Sequence, residues 1–225
     1  MLKVERTSVM NMENAIRGAR NPMNSWKSSD SYYDAKGNFC LGANDLDLAK
    51  RLRTAGPDHR KFLRQIFVSV DITAPLYWWK EYDTYKVATV ANSCSTMHKI
   101  HAKMFTAEDF SCEHLLADDM AQYHVTDSEG NDQDIALPAI EILGFTIQAL
   151  NYYREKFLET QDKRYWWQMI QLLPSSYNQM RTCTFNYETL VNIYRARKDH
   201  KLDEWHTFCD WIKTLPYARE LIILN

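Results

Sequence analysis

The chain has no apolar run approaching the roughly 18 residues that cross a membrane as a helix, so no membrane span is expected. Its opening residues, Met1-Leu2-Lys3-Val4-Glu5-Arg6, lack the apolar centre of a secretory signal. It has no large excess of charge of either sign. The formal net charge is −2, which supplies no broad basic field and argues against a nucleic-acid partner. The five cysteines, Cys40, Cys94, Cys112, Cys183 and Cys209, are scattered, odd in number and contain no C-x-x-C pair. Reduced thiols in a cytoplasm fit that pattern better than a disulfide framework. There is no G-x-G-x-x-G, no P-loop lysine motif and no G-x-S-x-G, so the common phosphate-cradle and nucleophile-elbow chemistries lack their residues. His98 and His101, with Cys112 and His114 further on, match no recognised zinc spacing, and no metal site is expected.

What the chain does contain is a globular balance, 45% hydrophobic and 25% charged, in 225 residues, enough for one domain with its own core. Aromatics are plentiful, and three doublets stand out: Trp78-Trp79, Tyr152-Tyr153 and Trp166-Trp167. They suit core or interface packing, or a platform for a planar ligand. The apolar β-branched run Ile66–Ile72 is the best strand in the chain, and Pro75 suits the first turn of the helix after it. Alternation predicts an opening strand over Leu2–Val9 and a second short strand over Val87–Val90. Helices are expected over Asn11–Arg20, capped by Asn11, and Asp45–Thr54, capped by Asn44. Asn24–Gly42 reads as a long loop, residues 99–124 as helical pieces and Thr126–Asp134 as a loop. A long helix follows over Pro138–Thr160, with Ile140, Leu143, Ile147, Leu150 and Phe157 recurring every three or four residues. Further helices are expected over Lys163–Leu173, from Asn186 or Thr189 to Arg197, and over Asp203–Thr214, with a strand at Arg181–Phe185. The expected fold class is α/β (α+β): a single domain, residues 1–225, with a small sheet surrounded by several helices.

Two blocks carry a family pattern. The first runs His59, the strand Ile66–Ile72, Ala74-Pro75, Lys80-Glu81-Tyr82, Thr84-Tyr85-Lys86 and Ser95-Thr96-Met97. The second is Leu173-Pro174, Asn186-Tyr187-Glu188 and Arg197. In order and spacing these resemble the flavin-dependent thymidylate synthases, in which Ala-Pro leads into an aromatic helix with Arg-Gln-Trp and Arg-His-Arg, followed by Ser-x-Arg. Leu-Pro, Asn-x-Arg and a further arginine form that family's second block. The resemblance implies the thymidylate synthase-complementing fold, a homotetramer with FAD at subunit interfaces, dUMP as substrate, methylene-tetrahydrofolate as one-carbon donor and NADPH as reductant. It also implies roles. Arg197 would polarise the pyrimidine as the catalytic residue, Glu81 and Ser95 would bind substrate beside it, and His59, Lys86, Asn186 and Asn192 would line the flavin pocket.

The pattern departs from the family at its cations. Thr84-Tyr85-Lys86 replaces Arg-His-Arg and keeps only the last positive charge. Glu81 replaces the glutamine, Met97 (or Thr96, if the turn aligns without an insertion) the arginine of Ser-x-Arg, and Glu188 the arginine of Asn-x-Arg. A charge-assisted hydrogen bond contributes about 1.5–3 kcal/mol. Losing three would cost about 5–9 kcal/mol, roughly four to six decades in affinity. Lys80, Lys86, Lys99, Arg181 and Arg195 are the candidate replacements. The expected function is an FAD-binding protein acting on dUMP or a related pyrimidine nucleotide. The alternative is a catalytically inactive homologue that serves as an oligomeric binding protein. Asn186 equally suits a helix cap, and Arg197 the cation-favouring last turn of a helix.

Overall fold

A computed structural model of the chain describes residues 2–85 and 87–223. Its elements in chain order are β1 (Lys3–Met10), α1 (Met12–Ala19), β2 (Tyr32–Tyr33), β3 (Phe39–Cys40), α2 (Ala43–Thr54), β4 (Phe67–Pro75), α3 (Leu76–Tyr82), β5 (Val90–Ser93), α4 (Thr96–Lys99), β6 (Met120–Thr126), β7 (Asp132–Pro138), α5 (Ala139–Thr160), α6 (Lys163–Leu172), β8 (Asn178–Asn186), α7 (Tyr187–Arg197) and α8 (Asp203–Lys213). The architecture is the expected mix of small sheets and many helices. The chain divides into two compact units, one of Ala74–Trp79 and Cys94–Gln179, the other of Leu2–Thr73, Lys80–Ser93 and Met180–Asn225.

The second unit carries a four-stranded sheet in the order β1-β4-β8-β5. β1 pairs antiparallel with β4, Val4 opposite Ile72, and β5 antiparallel with β8, Asn92 opposite Thr182. Val68, Val70, Ile72, Cys183 and Phe185 put one buried layer of the sheet under the helices. Leu190 and Ile193 of α7 and Trp205, Phe208 and Ile212 of α8 are fully buried on the helix side. α7 presents so many buried residues because Tyr187, Leu190, Val191 and Ile193 fall on one face at helical spacing. A six-residue 3-10 turn, Arg60–Gln65, precedes β4 and buries Phe62 and Leu63.

The first unit is built on the α5–α6 pair. Its core gathers Ile100, Phe105, Phe110, Leu143, Leu150 and Met169, with Ile147, Phe157 and Trp166 packed against it. Trp78 and Trp79 are fully buried, and Trp79 Nε1 donates to the Gln179 carbonyl at 2.9 Å. The first turn of α3 needs acceptors for its free N–H groups. Leu76 N and Tyr77 N find them in the carbonyls of Tyr177 and Ser175.

Several expectations are corrected. The loop expected over Thr126–Asp134 and part of the helical stretch 99–124 form the β6–β7 hairpin, with Tyr123 opposite Ile135. Asp127-Ser128-Glu129-Gly130-Asn131 makes its turn: the Asp127 carboxylate accepts from Glu129 N and Asn131 N, and Gly130 sits at φ +85. The same chemistry recurs in the stretch read as a loop from Asn24 to Gly42. Asp34 accepts from Lys36 N and Asn38 N, Gly37 sits at φ +80, and the turn joins β2 to β3. A residue without Cβ occupies that left-handed conformation at no steric cost. The second short strand is Val90–Ser93, not Val87–Val90, because residues 87 and 88 turn and Ala88 is at φ 61. Neither predicted asparagine cap acts as one. Asn11 is itself left-handed and donates to the Gln65 carbonyl, while the Asp30 carboxylate, not Asn44, accepts from the first N–H groups of α2.

Candidate functional site

The end of α7 and the start of α8 build a charged cluster around Arg197. Arg197 lies in the last turn of α7, and its side chain is 18% exposed. Its Nη1 donates to Glu81 Oε2 at 2.8 Å and its Nε to the Tyr85 hydroxyl at 2.9 Å. The guanidinium carbon stands 4.8 Å from the Trp205 ring centroid and 5.5 Å from that of Tyr85, so two aromatic faces flank the cation. Glu81 Oε2 also accepts from Trp205 Nε1 at 3.2 Å and lies 3.2 Å from His200 Nε2. Two of the predicted residues, Glu81 and Arg197, are therefore brought together as an ion pair. Tyr85, Trp205 and His200 complete the cluster and were not assigned roles from sequence; an aromatic eight residues beyond the arginine, on the next helix, was the available signal.

Glu188, at the position of a family arginine, is not unpaired. Arg60 Nε donates to its Oε1 at 3.0 Å, and Arg64 Nε bonds its Oε2. Glu188 is 12% exposed and Arg60 13%, so this is a largely buried pair. Burial pushes the Glu188 carboxyl up, but the bonds from Arg64 and Arg60 outweigh it and hold the group below the ordinary carboxylate range. Arg60 and Arg64 stand four residues apart in the turn before β4, and neither was among the candidate cations from sequence. Of those candidates, Arg181 is taken by Asp83 at 2.9 Å, and Lys80 and Lys99 are exposed.

The remaining predicted residues divide. His59 is exposed at the start of the Arg60–Gln65 turn and lines a cavity of about 690 Å³ with Asn21, Ser25, Leu52, Phe62 and Gln65. Asn186 is 6% exposed and caps α7: its Oδ1 accepts from Thr189 N at 2.9 Å and from Thr189 Oγ1 at 3.2 Å. Its Nδ2 has no partner among the described residues. Asn192 is exposed on α7. Ser95 belongs to the other unit, where it caps α4, accepting from His98 N at 3.1 Å and lying 2.8 Å from His98 Nδ1. Lys86 lies outside the described residues. Among the described residues no group of three or more His, Cys, Asp or Glu side chains is arranged to hold a metal ion, and no helix is long and apolar enough to cross a membrane.

This fold has known relatives in structure. It is similar to that of ThyX. With the flavin dependent thymidylate synthase ThyX from Helicobacter pylori, complexed with FAD and dUMP, the TM-score is 0.65 at 16% identity, over 98% of this chain and 97% of that one. With the UMP/dUMP methylase PolB from Streptomyces cacaoi, bound with 5-Br dUMP, it is 0.62 at 13% identity, over 99% and 95%. At such identity the likeness is one of fold, spanning nearly the whole of each chain. No family model matches the chain, and no curated protein matches its sequence.

Proposed function

We propose that this protein binds FAD and a pyrimidine nucleotide, and that its nearest activity is the reductive methylation of dUMP or a related pyrimidine. The observation that carries this reading is Arg197, held in one orientation at the end of α7 by an acid and two aromatic rings, on a fold shared with a synthase complexed with FAD and dUMP. A guanidinium fixed in advance stabilises charge developing on a pyrimidine carbonyl without reorganising at the moment of reaction. Glu81, in turn, would position Arg197 and tune how much of its charge is available to a substrate.

The residues present fit the flavin in part. Asn186 offers its Nδ2 as a donor for a ligand carbonyl, and His59 fronts a concave surface of mixed apolar and polar lining. With Asn192 and Lys86, these are the side chains that would hold FAD, which supplies the redox chemistry when bound. Ser95 would contact the nucleotide. The proposal extends to NADPH and methylene-tetrahydrofolate as co-substrates, to a homo-oligomer, by family analogy a homotetramer, and to a cytoplasmic setting.

A second reading is favoured by the ion pairs themselves. Glu81 neutralises Arg197, and Glu188 pairs with both Arg60 and Arg64, so each of these cations is already bonded to one of the protein's own carboxylates. A catalytically inactive binding homologue on the same scaffold is consistent with that. Tritium release from 5-labelled dUMP, with FAD, NADPH and the folate donor present, separates the two. Release that falls at least a hundredfold in Arg197→Gln supports the enzyme. Bound flavin in the visible absorbance spectrum without release favours the second reading, and protein that takes up no FAD on titration overturns the first.

A further inference from the structure

A second concave site lies elsewhere, in the unit that contains Arg197 but sharing no residue with its cluster. α1, the stretch after it and the β2–β3 hairpin enclose a cleft of about 240 Å³. Trp26, Tyr33 and Phe39 give it aromatic walls, Ile16 an apolar floor, and Arg17 and Arg20 its positive charge. Tyr33 and Phe39 meet edge to face at 5.5 Å, and Arg17 stands 5.8 Å over the Trp26 ring.

Arg20 is the unusual member. Its side chain is 6% exposed, and a charge so buried is normally fully bonded. Nε donates to Asp45 Oδ1 at 2.6 Å and Nη1 to the Ser25 carbonyl at 3.2 Å. Nη2 has no partner among the described residues, which leaves it as the guanidinium nitrogen available to the cleft. Asp45 balances the charge of Arg20 but does not bond that edge, because its other oxygen, Oδ2, is shared among Ser29 Oγ, Ser31 Oγ, Ser31 N and Asp30 N. Arg17 has no carboxylate at ion-pair distance among the described residues. Glu13, the acid on the lining, is engaged by the Tyr33 hydroxyl.

We propose that this cleft binds a small planar aromatic carboxylate, its ring against Trp26, Tyr33 and Phe39 and its carboxylate on Arg20 Nη2 and Arg17. Size sets the class. The cleft equals about eight waters at ~30 Å³ each, too small for a nucleotide and below the range typical of drug-sized ligands. Chemistry sets the charge, since a guanidinium edge matches a carboxylate bidentately and a neutral ring alone would leave it unpaired.

The probe is phenylacetate, titrated calorimetrically into the full chain, with phenylacetamide as its uncharged counterpart. The expected result is saturable one-to-one binding of phenylacetate, at least about tenfold weaker for phenylacetamide. Arg17→Gln and Trp26→Ala, both at exposed positions and outside the buried Arg20–Asp45 pair, should each weaken phenylacetate about tenfold while the melting transition stays in place. No saturable heat up to about 10 mM phenylacetate, equal binding of the amide, or full affinity in both variants would overturn the proposal. None of these outcomes depends on whether dUMP or FAD binds at the Arg197 site.

Discussion

Glu81 and Glu188 both stand where the resembled family carries a different residue, and both are bonded to arginine, but in unlike settings. Glu188 is nearly buried and holds two arginines of the turn before β4 to the first turn of α7. Glu81 is 33% exposed and holds one arginine whose other sides are aromatic. The difference teaches that an acid at such a position has two outcomes. Where the partners come from neighbouring structural elements, as at Glu188, the acid is part of the scaffold. Where the partner is itself the proposed functional group, as at Glu81, the acid sets how strongly that group can bind anything else.

The largest expected effect tests the first half of that contrast. Glu188→Ala leaves Arg60 buried beside no acid and should destabilise the fold by about 2–3 kcal/mol in urea unfolding, a little under the cost of breaking a fully buried pair. An effect below about 0.5 kcal/mol would make the two glutamates equivalent surface groups. Next, Glu81→Gln keeps an acceptor for Trp205 Nε1 and removes the competing charge from Arg197. Affinity for dUMP by calorimetry should rise on the order of tenfold, with little change in stability. A fall in affinity would show that Glu81 positions Arg197 more than it competes for it.

A pH series sharpens the same comparison by a smaller amount. The Glu188 carboxyl is held below its ordinary range in the folded chain, so its stabilisation is complete above that range and is lost as pH falls through the folded value. The difference in melting temperature between the native chain and Glu188→Gln should therefore shrink below about pH 4.5 and stay flat above about pH 6. A gap that widens on acidification would reverse the sign and refute the assignment. The smallest effect is expected from Arg64→Gln, because the Arg64 side chain is 56% exposed and solvent-screened and Arg60 remains to pair with Glu188. If Arg64→Gln matches Glu188→Ala in unfolding, the buried arginine is not the partner that matters.

Legibility in the sequence followed the range of the physics involved. The strand at Ile66–Ile72 and the helix over Pro138–Thr160 were readable because a local period of two or of three to four fixes which face is buried. The hairpins were missed because their strands are largely exposed and show little alternation. Their turns were nonetheless written locally, as Asp34-Ala35-Lys36-Gly37-Asn38 and Asp127-Ser128-Glu129-Gly130-Asn131, each with an aspartate that accepts from the amides two and four residues on. At the candidate site, Glu81 and Arg197 were named from the family resemblance, but their pairing spans 116 residues and no local pattern encodes it. The cations that bond Glu188 were not legible for a related reason. Arg60 and Arg64 reach Glu188 across 128 and 124 residues, so sequence proximity to the missing arginines pointed elsewhere.

By itself the sequence determined the class of the fold, the apolar strand and long helix that organise it, and the two positions where an acid stands in place of the resembled family's residue, because residue type and period act over a few residues. Only the tertiary structure decided what those two acids do. It placed Arg60 and Arg64 on Glu188 and closed Glu81, Tyr85 and Trp205 around Arg197, and it put a buried arginine on the lining of a second cleft. Electrostatic partners are selected by distance in space, and burial makes that choice energetically decisive.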